Sequence, residues 1–469
     1  MPFCLGDKGV YVVIDYYQQD LEAQYPSGWV FAATFVSVIA LLFGLFLGNL
    51  LTFFDAVVIA MLGLFLVSGI GVRISKPQDR DWLPKMIAAG YIAKIGFSVI
   101  RYLVLVVIYG GSGDAVGYHG SGHVYSEVWR SFQVPEGFAI GTAFVDRFTG
   151  LLYVPYIPTM LGGFFIFATL AFLGQLLMYA AFRESAQPRR LKWYAMAIFF
   201  IPAITYWPSS IGKESLMFLG IGLAVFGASR LMSRGGLLPI IYMGAGLAFA
   251  GAIRPHVSAL IIASLAGALV LAKSKTGGLG MGPGMRWLAI IVVGAGSIFL
   301  ILFAAAEFNI DLQSPDAIDQ VDEFVTTVEG NTAKGGSEVD GGAVASPLDI
   351  PDAALRVLFR PLPYEAHNLQ AMASALESSA ILLLIIFRSP KILKNGFRSR
   401  NDPYILMTLI MTFGFVLMFS PFLNLGLLAR ERSMILPFLA AFVIHLGWDT
   451  VKEKREETPG QQQVARVPA

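Results

Sequence analysis

Long apolar runs separated by short polar connections recur from residue 28 to residue 449. Roughly 20 consecutive apolar residues cross the hydrocarbon core of a bilayer as a helix. Runs of that kind fall at about 28–50, 54–72, 86–109, 151–181, 193–207, 215–230, 236–253, 257–272, 287–306, 370–387, 403–422 and 433–449. They are far too long for barrel strands, and backbone in lipid is satisfied only in helices or closed barrels. The pattern predicts an all-α polytopic integral membrane protein of about 12 transmembrane helices.

Charge then orients the spans, because loops rich in Lys and Arg stay cytoplasmic. The connections RISKPQDRDWLPK, RESAQPRRLK, SRLMSR, KSKTGGLGMGPGMR and RSPKILKNGFRSR, with the tail VKEKREE, hold 21 of the 34 basic residues, against 9 in the alternate loops. Both termini are therefore expected in the cytoplasm. Two long loops face outward, at 110–150 and 307–369, and the second carries eleven acids against the single Lys334 between Glu307 and Asp352. Its Gly, Ser and Asp content suggests a lid or solvated loop with short helices. Residues 1–27 form an N-terminal segment whose stretch VYVVIDYYQQDLEAQYP suits the inner headgroup region. Residues 28–449 form the transmembrane domain, and 450–469 read as a disordered cytoplasmic tail. The start lacks a basic region joined to an apolar core and a cleavage site, so the first span is expected to serve as targeting signal.

Composition narrows the chemistry only slightly. The net charge of +2 gives no reason to expect nucleic acid, and the single Cys4 excludes an intramolecular disulfide or a thiolate metal cluster. No fixed-period repeat is visible.

The outer connections are nearly stripped of charge except at a few places. WPSSIGKES carries Lys213 and Glu214; GAIRPH carries Arg254 and His256; LFRPLPYEAHN carries Arg360, Glu365 and His367; LLARERS carries Arg430, Glu431 and Arg432. Arginine in short outer loops runs against the positive-inside rule, and an anionic ligand at the outer surface supplies a reason for it. A lone arginine at a helix end also snorkels to lipid phosphate. Glu214 beside Lys213, and Glu431 between two arginines, read as local ion pairs of small worth. Within the third span Lys94 and Arg101 lie seven residues apart on one helical face. Arg101 is near enough to the outer end to reach the same pocket. Lys94 is deeper and reads as a buried structural pair or a snorkelling residue, and Glu377 and His445 as structural.

The first outer loop, GDAVGYHGSGHVYSEVW, offers Asp114, His119, His123 and Glu127. His119 and His123 would share a face if the segment were helical, a spacing that suits zinc, but a zinc site needs a third ligand at the right distance and the intervening GSG disfavours a helix. Asp114, just beyond a helix end at the water interface, reads more economically as a general base, with a turn residue in a Gly-rich link as the structural alternative. His119 is then a helper in substrate binding. Glu365 joins Asp114 and His119 as a catalytic candidate, and the cations Arg101, Lys213, Arg254, Arg360, Arg430 and Arg432, with His256 and His367, are candidate ligands of a lipid phosphate and sugar. No metal ligand set is assigned and no cofactor is expected; a divalent metal is compatible with the scheme without being required.

WPSSIGKES, RPLPYEAHN and RERSMILP resemble segments of bacterial membrane proteins of polysaccharide gene clusters, a group that includes O-antigen-type polymerases and C-type (GT-C) glycosyltransferases using polyprenyl-linked donors. DAVGYH is similar in placement to the acidic first-loop motif of the GT-C enzymes. The resemblance implies Asp114 as base and Arg254, Arg430 or Arg432 as phosphate ligands, with a polyprenyl-linked donor, membrane lipids and other polysaccharide-assembly proteins as partners in the cytoplasmic membrane of a bacterium. Paired first-loop acids and a large soluble C-terminal domain are missing here, which favours the polymerase or ligase type. The alternative from another class is a transporter or flippase for a lipid-linked or anionic substrate, which needs polar groups distributed through the spans. Here the spans other than the third are nearly charge-free.

Overall fold

The computed structural model describes residues 50–447, apart from 112, 138, 187, 315, 333–336 and most of 273–313. The expected spans at 28–50 and 287–306, the N-terminal segment and the tail lie wholly or mostly outside the described residues. Among the described residues the fold is all-helical without a strand, an isolated bridge between Glu338 and Asn424 aside. Among the described residues five helices are long and apolar enough to cross a membrane. They are α1 (Leu50–Ile74), α2 (Leu83–Tyr102, continued as a π-helical segment Leu103–Ile108), α5 (Met160–Ser185), α8 (Lys213–Arg234) and α13 (Leu369–Gly396). Shorter apolar helices are α9 (Leu237–Ile253), α10 (Pro255–Leu271), α14 (Pro403–Phe419) and α16 (Leu436–Gly447).

Helix α8 is the axis of the bundle because its small residues let two neighbours approach to backbone contact, the usual device where lipid removes any hydrophobic drive between helices. A Cβ on Gly222 would lie 2.4 Å from the Gly174 carbonyl oxygen of α5, and one on Gly227 would lie 2.4 Å from the Met243 nitrogen of α9. Between α5 and α8 lie α6 (Pro188–Phe200) and the five-residue α7 (Pro202–Tyr206). The expected span 193–207 is therefore broken at Ile201–Pro202, since proline cannot continue the hydrogen-bond ladder. Backbone freed in an apolar bundle needs other partners. Gln175 Nε2 donates to the Ile198 carbonyl at 2.9 Å, Lys94 Nζ to that of Ile204 at 3.2 Å and Ser98 Oγ to that of Ser209 at 2.7 Å. Lys94 thus neither snorkels nor sits in an ion pair; it is buried against a helix break.

The outer loop expected at 110–150 is a helical hairpin, α3 (Asp114–Arg130) and α4 (Thr142–Tyr153), and the expected span 151–181 starts only at Met160. The GSG sequence does not prevent α3. Each glycine in a helix costs about 1 kcal/mol relative to alanine, and packing offsets that cost: a Cβ on Gly122 would lie 2.6 Å from Thr149 Cγ2, and one on Gly150 2.3 Å from Tyr125 Cβ. Trp129 Nε1 donates to the Arg147 carbonyl at 3.1 Å, and Gly141 N to that of Ala252 at 2.8 Å, which seats the hairpin on the end of α9. The second long loop contains α11 (Ala317–Thr332) and α12 (Ile350–Phe359). Arg356 fastens it to the bundle through the Gly342 carbonyl at 2.6 Å and the Ser420 carbonyl at 3.1 Å. Last comes α15 (Leu425–Arg432), capped by Asn424 and placed between α14 and α16.

Connections of like expected side gather together. Arg183 donates to the Ile74 carbonyl at 2.6 Å and Arg234 pairs with Glu184 at 2.9 Å at one end. The α3–α4 hairpin, the start of α8, the α9–α10 junction and α15 meet at the other.

Candidate functional site

At that second end two arginines converge on Glu214, and through them Glu431 and Asp114 join one cluster. A break at Ser210–Gly212 starts α8 with Lys213 and Glu214, which turns the Glu214 carboxylate into the bundle, where it is buried. Arg430 Nε donates to Glu214 Oε1 at 2.7 Å and Arg254 to the same oxygen at 2.9 Å. Arg254 also pairs with Glu431 and lies 3.7 Å from Met434 Sδ. Arg430 reaches Asp114 Oδ2 at 3.6 Å, and the Asp114 side chain keeps 66% of its surface exposed. Glu214 and Glu431 are thus not local pairs with their sequence neighbours but bridge separate helices. Glu214 beside Arg430 drives that guanidinium further above its ordinary range, whereas burial raises the Glu431 carboxyl more than Arg254 lowers it.

On the hairpin beside this cluster, burial raises the Asp146 carboxyl more than Ser121 and the field of Lys213 lower it. Lys213 stands within the fields of Asp114, Glu214, Arg254 and Arg430, and makes no hydrogen bond or ion pair with the described residues. Arg101 is buried near the same end, with Nε donating to Ser210 Oγ at 2.8 Å and its guanidinium 5.0 Å from the centre of the Trp207 ring. Arg432 points elsewhere: it donates to the carbonyls of Leu358 at 3.2 Å and Arg360 at 2.8 Å and to Ser374 Oγ at 3.1 Å, and burial lowers it to about 10. His256 packs edge-on to Phe419 with ring centres 6.2 Å apart.

Beside the cluster, across α15 and the Trp207 turn, lie two adjoining cavities. The first, about 510 Å³, is the more polar of the two, and Glu338, Arg360, Glu365, His367 and Gln370 are among its lining residues. Within it Arg360 pairs with Glu365, which also accepts the Leu362 N–H at 2.7 Å. The second, about 490 Å³, is apolar, bounded by Phe97, Ile100, Val104 and Ile108 of α2 and by Leu369 and Ala373 of α13. Ile100, Ile108 and Leu369 are largely exposed, so this groove opens sideways from the bundle. Trp207, Asn368, Gln370 and Ser374 line both cavities, and Glu377, accepting the Ala203 N–H at 2.9 Å, lines the groove.

The structure therefore brings Asp114, Lys213, Arg254 and Arg430 together, with Arg101 nearby, and separately Arg360, Glu365 and His367. His119 lies on α3 with its Nδ1 2.9 Å from Tyr153 Oη and its Nε2 3.2 Å from His123 Nε2. Burial, and His123 beside it, lower His119 to about 4. Sequence reasoning missed Glu214 and Glu431 as bridging acids, and Trp207, Gln370 and Asp146 altogether; Trp207 and Gln370 carry no charge to mark them. Among the described residues no three His, Cys, Asp or Glu side chains converge as a metal site. No protein-family model, curated protein or solved structure matches this chain.

Proposed function

We propose that the protein is a glycosyltransferase or polysaccharide polymerase of about twelve spans, with both termini in the cytoplasm and the Glu214 end facing the periplasm or cell exterior. It transfers a sugar or glycan from a polyprenyl-(pyro)phosphate donor to an acceptor hydroxyl. The observation that carries this reading is the pair of adjoining cavities: an apolar groove open to the side of the bundle that shares Trp207, Asn368, Gln370 and Ser374 with a more polar chamber. An amphiphile with a long hydrocarbon chain and a hydrophilic head matches that division.

In this reading the isoprenoid lies against Ile100, Val104 and Ala373, the sugar of the head enters the chamber beside Arg360 and His367, and the phosphate sits at the Trp207 turn, against which Arg101 stacks and across which the Glu214 cluster lies. The acceptor oxygen attacks the anomeric carbon as the bond to the donor phosphate breaks. The acceptor proton goes to Asp114, whose carboxylate is the exposed one of the cluster, and Arg101 and Lys213 balance the charge left on the phosphate. Arg254 and Arg430 are already neutralised by carboxylates, so their part is to hold the cluster and orient Asp114. The transporter reading gains little from Lys94, which a backbone carbonyl occupies.

Purified protein incubated with a polyprenyl-pyrophosphate oligosaccharide should give elongated or transferred glycan on gels, and Asp114→Asn should abolish it with donor binding retained. Absence of glycan product from competent donors, with labelled lipid moving between vesicle leaflets, would overturn the enzyme in favour of the transporter.

A further inference from the structure

Helix α3 carries a second arrangement that the transfer reaction does not use. His119 and His123 stand one turn apart and turn their Nε2 atoms towards each other at 3.2 Å. Two imidazoles on one zinc ion, at about 2.0–2.1 Å each in tetrahedral geometry, hold their nitrogens at nearly this separation. We propose that these two Nε2 atoms form a binding site for a borderline divalent transition metal, Zn²⁺ in the first instance, with its remaining positions open to water or to an oxygen ligand such as a phosphate.

Three further features suit a metal. The other nitrogen of His119, Nδ1, lies 2.9 Å from Tyr153 Oη. A proton on Nδ1 donated to that hydroxyl leaves Nε2 bare and fixes the ring, the kind of outer partner that metal-bound histidines usually keep. Tyr153 is itself buried at the end of α4, so the ring is held from a rigid neighbour. Asp55, a buried carboxylate held by Thr159 N at 2.6 Å and Thr159 Oγ1 at 2.8 Å, exerts an attractive field on His119 and would offset part of the ion's charge. His123 is exposed, so an ion reaches the pair from solvent. Imidazole nitrogen suits zinc, copper and nickel, and gives little hold on magnesium or calcium. The site stands on the face of α3 that meets Tyr153, so a bound ion would stiffen the hairpin that carries Asp114.

The test uses the full chain in detergent, freed of any polyhistidine tag and stripped of metal, titrated with Zn²⁺ by calorimetry and with Cu²⁺ by electron paramagnetic resonance. One saturable Zn²⁺ site per chain and a Cu²⁺ signal with nitrogen couplings are expected. His123→Gln, an exposed substitution, should remove both, and Tyr153→Phe should weaken Zn²⁺ binding by roughly tenfold to a hundredfold. No saturable binding by the wild-type chain, or equal binding by His123→Gln, overturns the proposal. Glycan transfer does not enter this readout, so the site stands or fails independently of the proposed function.

Discussion

Arg430 donates to Glu214 at 2.7 Å and so ties α15 to the first turn of α8 across 216 residues of chain. The same carboxylate holds Arg254. Truncating it strands two guanidinium groups at a largely desolvated site, and breaking a buried pair from one side costs about 3–5 kcal/mol. Glu214→Ala should lower unfolding stability in detergent by that order, with Glu214→Gln losing less because its amide oxygen still accepts. In a double-mutant cycle Arg430→Ala should recover part of the Glu214→Ala loss. Strict additivity of the two losses would show that the pair does not couple.

Arg432, two residues along the same helix, should behave differently from a phosphate ligand. Its guanidinium spans two carbonyls and the Ser374 hydroxyl, and a lysine ammonium cannot reproduce that fork. Hydrogen bonds from a charged group contribute about 1.5–3 kcal/mol each. Arg432→Lys should therefore lose several kcal/mol of stability, while the folded fraction binds polyprenyl phosphate as the wild type does. Weakened binding at unchanged melting temperature would return Arg432 to the ligand set.

Lys213 predicts the reverse. It makes no hydrogen bond or ion pair with the described residues, so Lys213→Ala should change stability by no more than about 0.5 kcal/mol. Loss of one phosphate contact of about 1.4 kcal/mol should weaken donor binding roughly tenfold. Binding of labelled polyprenyl phosphate, measured beside thermal unfolding, checks both halves.

What the sequence displays is position along each helix, and what it hides is direction. Charge at the ends of apolar runs was enough to list Lys213, Arg254 and Arg430 together. Their partners are hidden because neighbours in sequence do not face each other on a helix: Glu214 pairs with Arg254 and Arg430 rather than with Lys213, and Glu431 reaches Arg254 rather than the arginines beside it. The α3 hairpin was hidden for a related reason, since glycines that disfavour an isolated helix are required where Gly122 and Gly150 let two helices touch. The groove left no charge signal, because its walls are the same apolar residues as any span.

That groove gives a steric prediction. Ala373 lines it on α13, whereas Leu376 of the same helix is exposed and does not line it. Ala373→Phe should fill the groove and reduce affinity for a long polyprenyl phosphate far more than for a short prenyl phosphate. Leu376→Phe should leave both unchanged. A shared loss for long and short chains would place the isoprenoid elsewhere.

At the opposite end of the bundle, Asp402 caps α14 by accepting the N–H groups of Tyr404 at 3.1 Å and Ile405 at 3.3 Å. Burial pushes its carboxyl up from 3.8 to about 6, against the pull of those N–H groups, Ser185 and Arg190. A raised folded-state value means that the native protein holds the proton more tightly than the unfolded chain does. Its contribution to stability is therefore full below about 3.8 and is lost as pH rises through about 6. Asn caps a helix about as well as Asp and has no charge to desolvate. Asp402→Asn should accordingly be more stable than wild type at pH 7.5, on the order of 1–3 kcal/mol, and the advantage should shrink towards zero as the pH is lowered to about 4. Thermal unfolding of both proteins across that range measures it. A constant difference at every pH would mean that Asp402 is not the titrating group, and a loss confined to neutral pH would mean that its charge is needed by Arg190.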